Sequence, residues 1–153
     1  MVFEQKNIRA IRDRARRLAK RHREVCGMLV DHGGLVALVE TRNKSSRAGS
    51  FWIHPADWRS IERAVVVLGS RVVGTFHSHL ASEPVPGDGD IRGAIEGHAM
   101  VIVDATTGEL RAWRIRKGRA YPLRAKQFGE LVNPASQRTN TSVALRAPSH
   151  ARR

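Results

Sequence analysis

The sequence predicts an α/β fold, in which helices flank a mixed β-sheet within a single domain. Three observations lead to this prediction. Segments in which apolar residues recur at helical spacing alternate with short runs rich in Val and Leu, the chain has 153 residues, and 41% of them are hydrophobic. Alternating strands and helices are typical of α/β domains, and this length suits one domain of ordinary size. The apolar fraction is sufficient to bury a core, which excludes a wholly disordered chain.

The first element is a basic helix over residues 4–22. Apolar residues recur there at helical spacing, and Arg and Lys occupy the remaining face. Two strands follow, at residues 25–30 and 35–41. The turn sequence at residues 31–34, with two adjacent glycines, predicts that these strands form a β-hairpin.

The middle of the chain predicts a second helix and a third strand. The helix spans Asp57–Leu68, and Gly69 is placed to end it. Residues 71–79 show the pattern of a strand, and residues 80–89 contain the prolines and glycines of a loop. A short helix begins near Asp90.

A second hairpin completes the predicted sheet. Strands at Met100–Asp104 and Leu110–Arg116 are joined by a turn that contains Gly108. The domain is expected to occupy residues 1–132. The tail at residues 133–153 consists mainly of small polar residues, Pro and Arg, and this composition predicts disorder.

The net charge of +13 lies mainly at the two ends of the chain. Residues 1–23 carry nine Lys and Arg against two acids, residues 133–153 carry four Arg and no acid, and the segment between them has a net charge of +2. The basic ends therefore predict docking of an acidic protein partner. Nucleic acid is a less favoured partner, because the basic ends contain a single aromatic residue, Phe3, on which bases can stack.

A cytoplasmic location is expected. The single cysteine, Cys26, cannot form an internal disulfide and is expected to be a small buried side chain. The N-terminus shows no apolar signal region. The longest apolar runs are far shorter than the roughly 20 residues that a transmembrane helix needs.

The residues that carry chemistry are His77, His79 and Asp90. Residues two apart on a strand point to the same face, so both imidazoles project together at the end of the strand at residues 71–79. The following loop can bring the carboxylate of Asp90 to the same point, with Asp88 as the rival ligand. Two imidazoles and one carboxylate leave a fourth position for water, as in catalytic zinc sites. The same ligand types also hold Fe(II) in oxygenases.

Glu24 is the candidate proton acceptor. It lies directly before the apolar run that begins at Val25, where an acidic side chain is costly unless it is exposed or has a function. A carboxylate at this point can take a proton from a zinc-activated water and pass it to the leaving amine. The alternative is a solvated acid or an ion-pair partner of Arg21 or Arg23.

Taken in order, these residues resemble the JAMM/MPN+ metalloprotease family, and within it the prokaryotic JAB-domain branch. The resemblance rests on Glu24 before the first strand, Asn43, residues 51–57, and a His-Ser-His motif followed after eleven residues by Asp90. It covers roughly residues 5–116. It implies a single JAB/MPN domain with a curved mixed sheet, related to the cytidine-deaminase fold.

The resemblance also implies a function. Members of that family are zinc-dependent isopeptidases or peptidases that cleave at the C-terminal tail of ubiquitin-like or sulfur-carrier proteins. By position in the motif, His77, His79 and Asp90 correspond to the zinc ligands, and Glu24 corresponds to the general acid and base.

Two positions differ from the family pattern. Leu80 replaces the proline after the second histidine, and Gly87 replaces a serine whose hydroxyl stabilises the oxyanion of the tetrahedral intermediate. Loss of one oxyanion donor costs about 10²–10³ in rate. The candidates that can replace it are the backbone N–H of Gly87 and the hydroxyls of Ser82 and Ser78, although strand alternation predicts that Ser78 points to the opposite face.

Two other functions remain open. Gly87 favours a non-catalytic MPN-like module that binds or scaffolds a partner without hydrolysis, and the basic ends favour a nucleic-acid-binding protein. Because a pure scaffold needs neither three metal ligands nor Glu24, the enzyme is the preferred prediction. The sequence sets no oligomeric state.

Overall fold

Seven strands form one mixed sheet in the described part of the chain, and three helices cover its faces. The computed structural model describes residues 2–3 and 5–123, so the expected domain boundary at residue 132 and the tail at residues 133–153 lie outside the described residues. In those two ranges no helix has the length and apolar composition of a membrane span. In chain order the elements are β1 (Val2–Phe3), α1 (Gln5–Ala19), β2 (Cys26–His32), β3 (Leu35–Thr41), α2 (Pro55–Val67), β4 (Arg71–His79), α3 (Asp88–Gly93), β5 (Ala99–Asp104), β6 (Leu110–Arg116) and β7 (Arg119–Pro122).

The strand order in the sheet is β1-β3-β2-β4-β5-β6-β7. The pairs β1–β3 and β4–β5 are parallel, and the other pairs are antiparallel. The predicted α/β fold with a mixed sheet is therefore confirmed. Strand β4, which carries the candidate ligands His77 and His79, lies at the centre of the sheet, where both neighbours hold its backbone in place.

Helix α1 covers one face of the sheet because its apolar stripe is buried. Ile8, Ile11 and Ala15 are at most 4% exposed, and they pack with Phe76 of β4 and Val101 of β5. Burial of each large aliphatic side chain contributes about 1.5–3 kcal/mol to folding. Most of the basic residues of α1 lie on the opposite, exposed side of the helix.

Helix α1 ends at Ala19, three residues before the predicted end at residue 22. The carbonyl of Leu18 accepts hydrogen bonds from the N–H groups of Arg21 and Arg23, and His22 has a φ of 52°. A residue in the left-handed region at this point stops the helix and turns the chain toward β2.

The turn between β2 and β3 is tighter than predicted. Strand β2 continues through Asp31 and His32, so that only Gly33 and Gly34 connect the strands, with φ values of 60° and 93°. Two consecutive positive φ values are typical of the two-residue turns that match the twist of a hairpin, and glycine adopts them without steric cost.

Helices α2 and α3 lie on the face opposite to α1. On β4, Phe76 packs toward α1. Because side chains alternate along a strand, His77 and His79 both point to the opposite face of the sheet. A smaller apolar cluster on that face joins Met100 of β5 with Ile91 of α3. The candidate site therefore lies between the sheet and these two helices.

Both of these helices begin two residues earlier than predicted. Pro55 is the first residue of α2, because His54 caps the helix by accepting a hydrogen bond at Nδ1 from the N–H of Ala56 over 3.1 Å. Gly69, with a φ of 65°, ends this helix as predicted. Helix α3 begins at Asp88.

Candidate metal centre

The side chains of His77, His79 and Asp90 converge at the C-terminal end of β4. The two Nε2 atoms of the histidines lie 3.2 Å apart. Oδ1 of Asp90 is 3.3 Å from Nε2 of His77, and Oδ2 is 3.5 Å from Nε2 of His79. Within residues 2–3 and 5–123 these residues form the one group of three side chains that can hold a metal ion.

The separations between these atoms fit a tetrahedral metal site. Zinc binds imidazole nitrogen and carboxylate oxygen at about 2.0–2.2 Å, which places tetrahedral ligand atoms about 3.3–3.6 Å from one another. The observed separations of 3.2, 3.3 and 3.5 Å agree with that geometry. Three protein ligands of these types also leave one position for water, as catalytic zinc sites do. The residues present therefore fit a zinc ion.

His79 is oriented by hydrogen bonds at its second ring nitrogen. Nδ1 lies 2.9 Å from the backbone carbonyl oxygen of Glu83 and 3.1 Å from Oγ of Ser82. Because a carbonyl oxygen only accepts hydrogen bonds, Nδ1 carries the proton in the neutral imidazole, which leaves the lone pair of Nε2 for a metal. Metal-ligating histidines are typically oriented in this way.

His77 is held by packing instead. Its imidazole is fully buried and stacks on the ring of Phe51, with ring centroids 4.4 Å apart and an angle of 20° between the planes. Its Nδ1 has no hydrogen-bond partner among the described residues. Burial lowers the pKa of His77. The imidazole is therefore mostly neutral at pH 7, which is the form that binds a metal.

Asp90 is the ionised member of the group. Burial alone would raise its pKa, but contacts with His77 and His79 and the N–H of Gly87, 2.8 Å from Oδ2, hold the pKa of Asp90 well below its usual range. The same contact with Asp90 raises the pKa of His79. The site thus contains a carboxylate that stays negative across the physiological range, which favours a cation.

The loop between His79 and Asp90 is anchored at its middle. Trp113 of β6 donates a hydrogen bond from Nε1 to the carbonyl oxygen of Pro84 over 2.9 Å, and Pro84 is itself fully buried. A loop that is fixed at this point brings the carboxylate back to the end of β4 in one defined position.

Glu24 lines the same cleft as His79 and Asp90. Strand β2 pairs with β4 so that Cys26 lies opposite His77, and Glu24, two residues earlier, is thereby brought to the end of β4. Glu24 is 5% exposed. Burial raises the pKa of Glu24 to about 7, while the charge of His79 lowers it and that of Asp90 raises it. Near neutral pH this carboxyl can both accept and release a proton.

Asn43 fixes Glu24 to the loop that follows β3. Its Nδ2 donates hydrogen bonds to the carbonyl oxygens of Glu24 and Ser50, over 3.1 and 3.0 Å. Its Oδ1 accepts hydrogen bonds from the N–H groups of Ser45 and Trp52, over 2.9 and 3.2 Å. Both donors and both acceptor positions of this amide are therefore used.

A cleft of about 770 Å³ opens beside these residues. It lies on the sheet between α2 and α3, and it reaches from Glu24, His79 and Asp90 to Trp58 and His98. This volume is within the range of ligand-binding clefts. The cleft is large enough to hold a segment of extended peptide next to the candidate ligands.

The family of this chain follows from its match to a model of a protein family. Residues 4–116 match the model of the family described as prokaryotic homologs of the JAB domain. This chain belongs to the prokaryotic JAB-domain family. The sequence-based prediction of the family is thereby confirmed.

Named and solved relatives agree with this assignment. The JAB domain is 30% identical over 91 residues to the desampylase of Pyrococcus furiosus. The matched region spans 59% of this chain and 65%, just under two thirds, of that relative. A Desulfitobacterium hafniense protein solved in solution superimposes with a TM-score of 0.67 at 18% identity, covering 80% of this chain and 88% of that one. A JAB1/MPN domain protein from Archaeoglobus fulgidus superimposes with a TM-score of 0.53 at 17% identity, covering 80% and 96%. At these identities the two structures support the fold alone.

The JAB domain brings together the residues on which the sequence-based site depended. The ligand atoms of His77, His79 and Asp90 meet, and Glu24 lines the adjacent cleft. The rival ligand Asp88 is exposed at the start of α3 and lies outside the group. The roles of the four residues in binding and catalysis stay predictions.

The three candidate oxyanion groups are placed differently. Ser82 lines the cleft of the JAB domain. The N–H of Gly87 is already bonded to Asp90. Ser78 is fully buried, and its Oγ accepts a hydrogen bond from the N–H of Val25 over 3.0 Å. Strand alternation places Ser78 on the face opposite to His77 and His79, so it is the least suitable of the three candidates for the oxyanion.

Sequence reasoning did not place the side chains of Phe51, Trp52 and His98 at the site, although residues 51–57 contributed to the family resemblance. Phe51 stacks on a ligand, Trp52 stands at the rim of the cleft with half of its surface exposed, and His98 lies at the far end. An adjacent pair of large aromatic residues directly after a small, polar loop was a signal for the first two. His98 belongs to no motif, and only the folding of the chain brings it to the cleft.

Proposed function

We propose that this JAB domain is a zinc-dependent isopeptidase or peptidase that hydrolyses a bond at the C-terminal tail of a ubiquitin-like or sulfur-carrier protein. The observation that carries the proposal is the convergence of His77, His79 and Asp90 at tetrahedral spacing, with Glu24 in the same cleft. The similarity to the Pyrococcus furiosus desampylase supports this class of activity.

His77, His79 and Asp90 hold the metal in this proposal, through two nitrogens and one oxygen. Zinc in such a ligand set acts as a Lewis acid and lowers the pKa of water to about 7. The hydrogen bond from His79 to the carbonyl of Glu83 keeps Nε2 available, and the N–H of Gly87 fixes the carboxylate of Asp90. Both contacts orient ligands before any metal binds.

Glu24 moves the proton. Its carboxylate accepts a proton from the attacking water and donates it to the leaving amine, because an amine that is not protonated is a poor leaving group. With its pKa raised to about 7 by burial, the two protonation states of Glu24 are close in free energy at neutral pH. One group can therefore act as base and then as acid.

Ser82 donates the hydrogen bond to the oxyanion in place of the family serine. Its Oγ accepts a hydrogen bond from the protonated Nδ1 of His79 over 3.1 Å, and the residue lines the cleft, so its own proton is available to the oxyanion once the hydroxyl turns from this ring edge toward the substrate. A positioned donor of this kind contributes about 10²–10³ to the rate.

Cleavage of a ubiquitin-like fusion protein tests this function. The protein is loaded with zinc and incubated with a fusion whose tail ends in Gly-Gly at the junction, and the products are identified by mass spectrometry. We expect cleavage directly after the tail, loss of cleavage on chelation, and recovery when zinc is restored. Glu24→Gln is the matched variant, because the amide keeps the shape of the side chain but cannot transfer the proton. Unchanged turnover in a zinc-loaded Glu24→Gln protein would contradict the proposed mechanism.

A non-catalytic binding module is the second candidate, and Gly87 is the observation that favours it. On this hypothesis the loss of the family serine marks a domain that holds a tail without hydrolysing the bond. Tight binding of the fusion by zinc-loaded protein, with no cleavage over hours, supports the module. The buried carboxyl of Glu24 beside the ligands supports the enzyme, since a scaffold has no use for it.

A further inference from the structure

The nearly neutral middle of the chain contains a basic segment. Residues 24–132 have a net charge of only +2, yet residues 110–123, which form β6, β7 and the connections beside them, hold five Arg and Lys and no acid. Helix α1 holds six Arg and Lys and one acid, Asp13. The fold brings basic side chains of these two distant segments to one face of the sheet.

Strand alternation places three arginines of β6 and β7 on the face that α1 covers. Leu110 and Ala112 of β6 belong to the core cluster that contains the apolar side chains of α1. Arg114 and Arg116 continue the same alternation, so they point to the same face. Arg119 of β7 is the direct partner of Arg116 in the ladder and therefore shares its face.

Three arginines of α1 form the other part of this surface. They lie three and four residues apart, which places them on one side of the helix. A β-carbon at Gly108, in the turn before β6, would lie 2.8 Å from a guanidinium nitrogen of Arg16 and 3.8 Å from Cδ of Arg12. The arginines of α1 thus reach the start of β6. We call the six side chains the arginine face: Arg9, Arg12, Arg16, Arg114, Arg116 and Arg119.

The charges of the arginine face are largely unpaired. Arg16 forms an exposed ion pair with Asp13 over 3.6 Å, and within residues 2–3 and 5–123 the other five arginines have no ion pair. Nε of Arg12 and Nε of Arg114 are buried without a hydrogen-bond partner in the same ranges. Burial, with a smaller effect of the charge of Arg16, lowers the pKa of Arg12. A bound anion would offset this repulsion between like charges.

The charge of the chain indicates that the occupant is a separate, acidic molecule. Residues 124–153 hold six Arg and Lys and one acid, and a second copy of the chain carries a net charge of +13. The arginine face repels both of them. The apolar stripe of α1 is buried against the sheet, so this helix has no apolar side left to enter a lipid surface.

The types of side chain favour an acidic protein over a nucleic acid. All six members of the face are Arg, and Tyr121, the direct partner of Arg114 in the ladder, is 49% exposed on the same face. Arg and Tyr are enriched in protein–protein interfaces, where Lys is depleted, and the guanidinium group binds a carboxylate through two parallel hydrogen bonds. One exposed aromatic ring among the described residues of this face is not a stacking platform for successive bases.

We propose that the arginine face is a docking surface for a protein that presents a cluster of Asp and Glu side chains. The face lies on the side of the sheet that α1 covers, whereas the candidate metal centre lies on the other side. A partner on the arginine face therefore leaves the cleft open. This inference does not depend on the proposed hydrolase, because docking requires neither the metal nor Glu24.

Fluorescence anisotropy with an acidic peptide tests this inference on the full chain. The probe is a fluorescein-labelled peptide of about twelve residues in which Glu alternates with Ser. In either extended or helical form it crosses the roughly 20 Å that β6 spans from Gly108 to Arg114. A labelled single strand of DNA with the same number of negative charges is the second probe. We expect the peptide to bind at least as tightly as the DNA, and its affinity to be the same with zinc and with a chelator.

A triple charge reversal locates the binding. The variant replaces exposed arginines of the face that have no ion pair among the described residues: Arg9→Glu, Arg116→Glu and Arg119→Glu. We expect it to bind the peptide about tenfold more weakly or worse, because each reversal replaces attraction by repulsion. Thermal unfolding checks that the variant keeps its fold.

The matched control has the same net charge. It reverses three exposed arginines on the helices of the opposite face: Arg59→Glu, Arg63→Glu and Arg92→Glu. We expect it to weaken peptide binding by about threefold or less, since its charges lie away from the arginine face and are screened by salt.

Three results would overturn the inference. Equal affinities of the two triple variants would show that the peptide responds to the overall charge or to another part of the chain. An affinity that depends on zinc would place the peptide at the candidate metal centre. Tighter binding of DNA than of the peptide, lost in the variant of the face, would identify a nucleic-acid surface instead.

Discussion

Nδ2 of Asn43 donates a hydrogen bond to the carbonyl oxygen of Glu24 over 3.1 Å, and this contact joins the loop after β3 to the proposed proton carrier. The same loop carries Phe51, whose ring stacks on His77. One amide thus fixes Glu24 relative to a candidate metal ligand. Asn43 is a positioning residue in this account, since it acts through its neighbours.

Asn43→Asp is expected to shift the pH dependence of turnover. The new carboxylate adds negative charge near Glu24 and raises the pKa of Glu24. The ascending limb of the pH profile of kcat/KM therefore moves to higher pH by about 0.5 pH unit or more. Asn43→Ala is the control, because it removes the hydrogen bonds without adding charge. It should reduce the free energy of unfolding by about 2–3 kcal/mol and leave the limb in place. Identical pH profiles for the two variants would contradict this role.

Glu24→Gln is expected to stabilise the metal-free protein above neutral pH while it abolishes turnover. The pKa of Glu24 is raised by burial from 4.5 to about 7, so the folded state holds this proton more tightly than the unfolded state. The resulting stability is fully present below pH 4.5 and is lost as the pH rises through 7. Since the amide does not ionise, we expect a gain of about 2–3 kcal/mol at pH 8 and little change at pH 4.5. Urea unfolding of chelator-treated protein at both pH values measures this. A gain of equal size at both would show that ionisation is not its cause.

Ser82→Ala is expected to lower kcat by about 10²–10³-fold with unchanged zinc content, because it removes the proposed oxyanion donor. Gly87→Ser supplies the rescue. A β-carbon at position 87 would lie 3.5 Å from Oδ2 of Asp90, an ordinary contact, so the side chain fits. We expect Gly87→Ser to restore turnover in the Ser82→Ala background, and Gly87→Ala, the matched control, to leave it low. If Ser82→Ala turns over like the wild type, the oxyanion is stabilised elsewhere.

Cys26 is expected to resist thiol reagents in the folded protein. Its side chain is completely buried, and burial raises the pKa of the thiol to about 11. At pH 8 the thiolate is therefore scarce as well as inaccessible. Reaction with a chromogenic disulfide reagent should be negligible over an hour and reach one thiol per chain in denaturant. Fast labelling of native protein would show that β2 opens.

Part of the site follows from local sequence rules. Strand alternation places His77 and His79 on one face, and the structure agrees. The geometry of the loop allowed either Asp90 or Asp88 to be the third ligand. The spacing of the motif in the family that the sequence resembles favoured Asp90. The position of Glu24 depends on the pairing of β2 with β4, which no local pattern specifies.

The remaining differences have long-range causes. Strands β1 and β7 have two and four residues, which is too short for an alternating pattern. The far end of the cleft depends on contacts between residues that are distant in the chain, such as Trp58 with His98. The basic residues of α1 lie on the sheet face opposite to the cleft, so docking of an acidic partner there stays a prediction separate from the chemistry.

The visible absorption spectrum of the cobalt-substituted protein tests the central claim most directly. Co²⁺ in a four-coordinate site absorbs far more strongly than in a six-coordinate one, so the spectrum reports the ligand geometry that His77, His79 and Asp90 provide. The account predicts strong four-coordinate bands at one Co²⁺ per chain, which persist in Glu24→Gln and disappear in His77→Ala. Weak six-coordinate bands in the wild type, or an unchanged spectrum in His77→Ala, would contradict it.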